Sequence, residues 1–238
     1  MNPPIIRKLL TGKVKKLGSP EAKDKMDREW ESAIFKQSVE GRKWLSKTGL
    51  AGDEVADTKN HGGLEKAIFA YSTHHYDYWR KEQGIEKIGI GAMGGENLAV
   101  ESLDEQRVCI GDTYRFGEAV IQVAQPRRPC WKPARRYRIM DFALQIQETG
   151  RTGWYFRVLE EGYVQAEQEL ILLERPYPKW TIAQCNEVMY RKKDDLALVE
   201  ELASCPFLAE SWKETLSKRL KGKKTSSSDK RVFGPNKN

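Results

Sequence analysis

Apolar and polar positions alternate weakly over residues 5–17, which fits an opening strand, and again over 32–39 after a polar stretch at 18–28. Between residues 64 and 82 the spacing changes. Leu64, Ala67, Ile68, Tyr71, His75 and Trp79 recur mostly at threes and fours, predicting one amphipathic helix with Gly62 and Gly63 at its N-terminus, His75 on its apolar face and His74 toward solvent. Leu98 and Val100 then read as a short strand. From Val108 the pattern is strongly β: turns fall at Gly111-Asp112 and at Phe116-Gly117-Glu118, and Ala119, Val120, Ile121 and Val123 form the apolar run of a buried strand. Cys109, between Val108 and Ile110, is expected to be buried and inert. Asp141 is a candidate N-cap for a helix through Glu148 that Gly150 ends, after which residues 154–159, 163–164 and 169–174 return to strand. Many short strands without regular βαβ alternation predict a mainly β fold, a closed or folded barrel with a few flanking helices.

Arg175-Pro176-Tyr177-Pro178 separates this body from a helical end. Thr181 and Gln184 form a capping box, Asp194 or Asp195 caps a second helix, and Pro206 precedes a third with Leu208, Trp212, Leu216 and Leu220 on one stripe. Three short helices bury little by themselves, so they are expected to pack on one another and on the barrel, or on a second copy in a homodimer. The division expected is a β-barrel domain at 1–176, a three-helix domain at 177–221 and a disordered basic tail at 222–238.

Charge alters this picture in one place. The net charge is +7, but from Lys221 onward six basic residues face one acid, so the body carries only +2. Within it Arg127, Arg128, Lys132, Arg135, Arg136 and Arg138 stand together without an acid, leaving the remainder negative. Such focused potential suits a compact anion better than a nucleic-acid duplex. No apolar run approaches the roughly 20 residues of a membrane span, and no secretory leader is evident; a cytoplasmic protein without a membrane partner is expected. The four cysteines show no CxxC pair, which argues against zinc ribbons and self-contained iron–sulfur clusters.

The basic cluster surrounds Cys130 in QPRRPCWKPARRY, residues 125–137. Pro126, Pro129 and Pro133 predict an irregular connection that turns its side chains outward. A thiol among these cations should favour its thiolate, which is both the nucleophile and the soft metal ligand. His61 lies beside the glycine pair where an anion could approach backbone. GIGAMG at 89–94 has the GxGxxG spacing but is followed by a strand instead of a helix, so a nucleotide fold is rejected; Asn97 just beyond it is a candidate ligand contact.

Taken together, HGG at 61–63, HYDYW at 75–79, GENLAV at 95–100 and the run from Cys109 to Cys130 ending in QPRRPC resemble the MOSC domain, named for the C-terminal part of molybdenum cofactor sulfurases. The three trailing helices resemble its YiiM-like branch. The resemblance implies a MOSC-type β-barrel that binds the molybdenum cofactor (molybdopterin), with Cys130 as the protein ligand to the metal. It also implies reduction of N-hydroxylated compounds, hydroxylaminopurine-type base analogues above all, as a detoxification. By motif match it carries over Asn97, Gln125 and Arg127 as cofactor contacts, with Lys132 and the Gly62–Gly63 backbone as further candidates. His61 would be the proton donor. Without a flavin, haem or iron–sulfur pattern, electrons must come from an external donor protein. Two other classes stay open: a cofactor carrier or sulfur-transfer protein using Cys130 without reductase turnover, and a nucleic-acid binder using the basic loop and tail.

Overall fold

The computed structural model describes residues 3–86, 88–91, 93–223 and 228–237. Its strands are β1 (Ile5–Thr11), β2 (Lys15–Leu17), β3 (Trp30–Ser32), β4 (Gln37–Ser38), β5 (Lys43–Ser46), β6 (Gly49–Leu50), β7 (Ile68–Ser72), β8 (Leu98–Glu101), β9 (Thr113–Phe116), β10 (Ala119–Pro126), β11 (Trp154–Glu160), β12 (Gly162–Val164) and β13 (Leu170–Glu174). Eight of them make one mixed sheet in the order β13-β9-β10-β11-β7-β8-β1-β4, parallel only between β7 and β8. The sheet curls until its ends meet. Ile6 N–H donates to Gln168 C=O at 2.9 Å, Glu167 N–H to Ile6 C=O at 2.7 Å and Leu170 N–H to Pro4 C=O at 2.9 Å. A mainly β fold built on a curled sheet is what the alternation predicted, and the tight Phe116-Gly117-Glu118 turn, with Gly117 at φ +58°, joins β9 to β10 as expected.

The helices are α1 (Thr58–His61), α2 (His74–Gln83), α3 (Lys132–Tyr137), α4 (Phe142–Thr149), α5 (Ile182–Asn186), α6 (Leu196–Ala203), α7 (Glu210–Leu220) and α8 (Asp229–Val232). Thr181 Oγ1 accepts Gln184 N–H at 3.1 Å and Asp195 Oδ1 accepts Leu198 N–H at 3.2 Å, so two of the C-terminal helices start on their predicted caps. Ile182, Leu202, Trp212 and Leu216 share one core with Trp154, Phe156 and Ile121 of the sheet, so the helices lean on the barrel wall. No helix among the described residues is long and apolar enough to cross a membrane.

Three expectations are corrected. The helix predicted over 64–82 starts only at His74; before it stand a 3-10 turn, Leu64–Lys66, and β7, all five of whose residues are buried between β11 and β8. A strand buried on both faces has a continuous apolar run, which cannot be told from a helix by periodicity. His75 is nonetheless in the core, with Nε2 2.6 Å from Glu105 Oε2, and His74 is exposed. The segment after Cys130 is helical, because Pro133 stands in the first turn of α3, where a missing N–H costs nothing. Finally, residues 228–237 are no free tail: α8 and a 3-10 turn, Gly234–Asn236, bury Val232 and Asn236 against the body. Gly222 and Lys223 bond back to the last turn of α7, with Gly222 N–H donating to Arg219 C=O at 2.9 Å and Lys223 N–H to Lys218 C=O at 3.0 Å, and the rest of that expectation, at 224–227 and 238, lies outside the described residues.

Candidate functional site

A cleft of about 600 Å³ opens between the end of β10, α1 and the turn that follows β6. Cys130 lines it and is only 8% exposed, so the loop turns inward, contrary to the outward presentation expected of its prolines. Burial by itself would raise the thiol's pKa. A hydrogen bond and charge from His61, the Arg127 guanidinium and the Lys132 N–H outweigh it and bring the thiol down to about 6, which favours the thiolate.

His61 arrives from the last residue of α1, a single turn held by Asp57, whose Oδ1 accepts Asn60 N–H at 3.1 Å. Its Nδ1 lies 3.5 Å from the Tyr155 hydroxyl. Burial raises Tyr155 to about 12, keeping the phenol protonated. Gly62 and Gly63 are not at a long helix's N-terminus: Gly62 follows α1 and Gly63 leads into the 3-10 turn. Gly63 provides clearance. A Cβ there would meet nothing within 4 Å, and its φ of +96° suits glycine.

Arg127 is held from two sides, its N–H donating to Gly153 C=O at 3.0 Å and its guanidinium lying 5.1 Å from the Phe69 ring centre. Lys132 Nζ stands 5.9 Å from the Trp131 ring. Neither forms an ion pair with a carboxylate among the described residues, so both leave positive charge facing the cleft. The fold therefore brings Cys130, His61, Gly62, Gly63, Arg127 and Lys132 to one cleft.

Two expected contacts behave differently. Gln125 lies outside the cleft, and its Oε1 accepts the Ser211 hydroxyl of α7 at 3.1 Å. Alternation would put Gln125 and Arg127 on one face, but β10 ends at Pro126, so Arg127 lies beyond the strand and is not bound by its period, while the side chain of Gln125 goes to α7. Asn97 does line the cleft, but its amide is engaged, accepting Phe69 N–H at 3.1 Å and donating to Leu10 C=O at 3.2 Å and Asp53 Oδ2 at 2.8 Å. It braces the wall. The outer arginines serve the fold as well: Arg135 donates to Arg28 C=O, Lys25 C=O and Asn236, Arg136 to Ile34 C=O, and Arg128 to Thr215.

Sequence reasoning missed Tyr155 and the buried Lys36–Asp53 ion pair in the cleft wall. Tyr155 carries no motif, and Asp53 reads as turn chemistry. It also missed Glu96, fully buried, whose Oε1 accepts Met93 N–H at 2.7 Å and the Tyr76 hydroxyl at 2.8 Å while Oε2 accepts Gly94 N–H at 2.7 Å.

Family models agree with this architecture: the MOSC domain matches residues 57–171, and the YiiM-like 3-alpha helix domain matches 180–222. Protein YiiM of Escherichia coli is 36% identical over 204 residues, covering 85% of this chain and 91% of that protein. This chain is a YiiM-like member of the MOSC family. The crystal structure of YiiM from Geobacillus stearothermophilus superposes with a TM-score of 0.75 at 34% identity, over 92% of this chain and all of that one. A protein of Gibberella moniliformis named a reductase is 36% identical over 207 residues, 86% of this chain but 35% of that longer protein.

Proposed function

We propose that the cleft binds a molybdenum–pterin cofactor through Cys130 and that the protein reduces N-hydroxylated compounds to amines, hydroxylaminopurine-type bases included. The observation that carries this reading is Cys130 itself, a buried sulfur whose thiol is brought down to about 6 in the wall of a cleft of cofactor size. The donor set fits. Among the described residues no group of three His, Cys, Asp or Glu side chains could hold an ion alone, so a metal here would bring ligands of its own. Arg127 and Lys132 would face an anionic end of such a ligand, and Gly63 leaves room for it against the backbone.

When bound, the cofactor supplies the redox chemistry: an N–OH group takes two electrons and two protons, the N–O bond breaks, and an amine and water result. His61 stands at the thiolate and would hold a proton for the departing oxygen. Trp44, Leu50 and Val55 give the cleft apolar surface that would suit a flat base. An external donor protein would supply the electrons. The name of the fungal reductase lends this reading further support.

The test is protein made in a cofactor-competent host, analysed for molybdenum and pterin and assayed on a hydroxylaminopurine with a chemical reductant, alongside Cys130→Ala. The native protein should carry both and form the amine, and the variant should lose both. Loaded protein without turnover would make the chain a carrier, and a variant keeping metal and activity would overturn the reading.

A further inference from the structure

Arg231 reaches both peptide groups that flank Cys130. Its carbonyl accepts Trp131 N–H at 2.9 Å, and its guanidinium donates to Pro129 C=O. The same guanidinium donates to Gln147 Oε1 at 2.6 Å, which anchors it to α4. Five residues on, Asn236, 3% exposed, accepts Arg135 Nε at 2.7 Å and lies with its Nδ2 3.5 Å from Trp131 C=O. Between them Gly234, at φ +50°, lies against the Trp131 ring so closely that a Cβ there would come within 2.2 Å. Val232, on the same segment, is 1% exposed. A loop with three prolines has few ladder bonds of its own, so contacts from outside must fix its peptide planes. The family matches end at residue 222, so these contacts lie beyond them.

We propose that Arg231 is a positioning residue for Cys130: it clamps the peptides before and after the cysteine, and residues 228–237 act as a strap that sets how the sulfur is presented to the cleft. The clamp stands on geometry alone; its value to the reduction rests on the function proposed above.

The test separates the two. In full-length, cofactor-free protein at one fixed pH, modification of Cys130 by N-ethylmaleimide is followed by mass spectrometry of the peptide that contains it, with hydrogen exchange over residues 127–137. Arg231→Ala should speed modification of Cys130 by about tenfold and speed exchange in that segment, while Cys109, Cys185 and Cys205 stay protected. Arg231→Lys, which can still donate to Pro129 C=O, should restore most of the protection. Gly234→Val, which drives a side chain into Trp131, should act like Arg231→Ala through a different residue. If Arg231→Ala lost its cooperative unfolding transition, Arg231→Gln and Gly234→Val would carry the same expectation. A folded Arg231→Ala or Gly234→Val whose Cys130 reacts and whose loop exchanges as in the parent overturns the proposal. Failure of the reductase assay alone leaves the clamp standing.

Discussion

Asn97 Nδ2 lies 2.8 Å from Asp53 Oδ2, a bond that ties the start of β8 to the turn after β6 across the cleft wall. Asp53 also accepts Gly12 N–H at 2.8 Å and pairs with buried Lys36. Replacing Asn97 with Ala would orphan Phe69 N–H and one oxygen of a buried carboxylate together. The expected loss is about 2–4 kcal/mol in chemical denaturation, with two buried polar groups left unsatisfied. Asn97→Asp should be worse, since it sets a second carboxylate against Asp53.

The Cys130 thiol, lowered to about 6, gives a direct pH signature. In cofactor-free protein the ultraviolet thiolate absorbance of Cys130 should appear as pH rises through about 6. The ionised form therefore adds stability above the ordinary thiol value, and that contribution is lost as pH falls through the folded value. His61→Ala removes a favourable hydrogen bond and charge while burial remains, so the midpoint should move upward. A midpoint unmoved by that substitution would remove His61 from the pair.

Asp112 is fully buried and is held by Arg175, whose Nε and Nη2 donate at 2.8 and 2.7 Å, by Cys109 N–H at 2.9 Å and by the Tyr114 hydroxyl at 3.1 Å. Arg175 is the first residue after β13, so this pair fixes where the barrel hands over to the helices. Arg175→Ala should cost about 3–5 kcal/mol, the usual penalty for leaving a buried charge without its partner. Urea unfolding of Arg175→Ala against the double variant with Asp112→Asn would show most of that cost relieved.

Gly153→Ala should be poorly tolerated. Gly153 has φ +69°, and a Cβ there would lie 2.4 Å from Ala70 C=O on the adjoining strand. Its own carbonyl receives Arg127 N–H, so strain at this point reaches the cleft. The expected result is a loss of soluble yield or a lowered melting temperature, against a Gly150→Ala control whose Cβ meets nothing within 4 Å.

What could be read in advance was local. The turn at Gly117, the Thr181 cap and the apolar run into β10 each follow from neighbours a few residues apart, and each appears where its pattern puts it. Cys130 was legible because five basic residues crowd it within one segment. Tyr155 and Asp53 reach the cleft from strand and turn positions that look like any other, and only the curl of the sheet brings them to His61 and Asn97. Residues 64–72 misled because burial on two faces erases the alternation that marks a strand. The last residues misled because their composition is polar, while their order comes from single bonds to a loop a hundred residues earlier.

Glu96 gives the glycine-rich stretch at 89–95 an anion of its own. Met93 N–H and Gly94 N–H already point at its carboxylate, joined to them through two or three residues of chain. A free phosphate seeking those donors would compete with a tethered carboxylate present at an effective concentration on the order of millimolar or more. It would also leave the buried Glu96 carboxylate with the Tyr76 hydroxyl alone in place of three donors. The donors of this loop are thus already taken by a carboxylate of the chain itself.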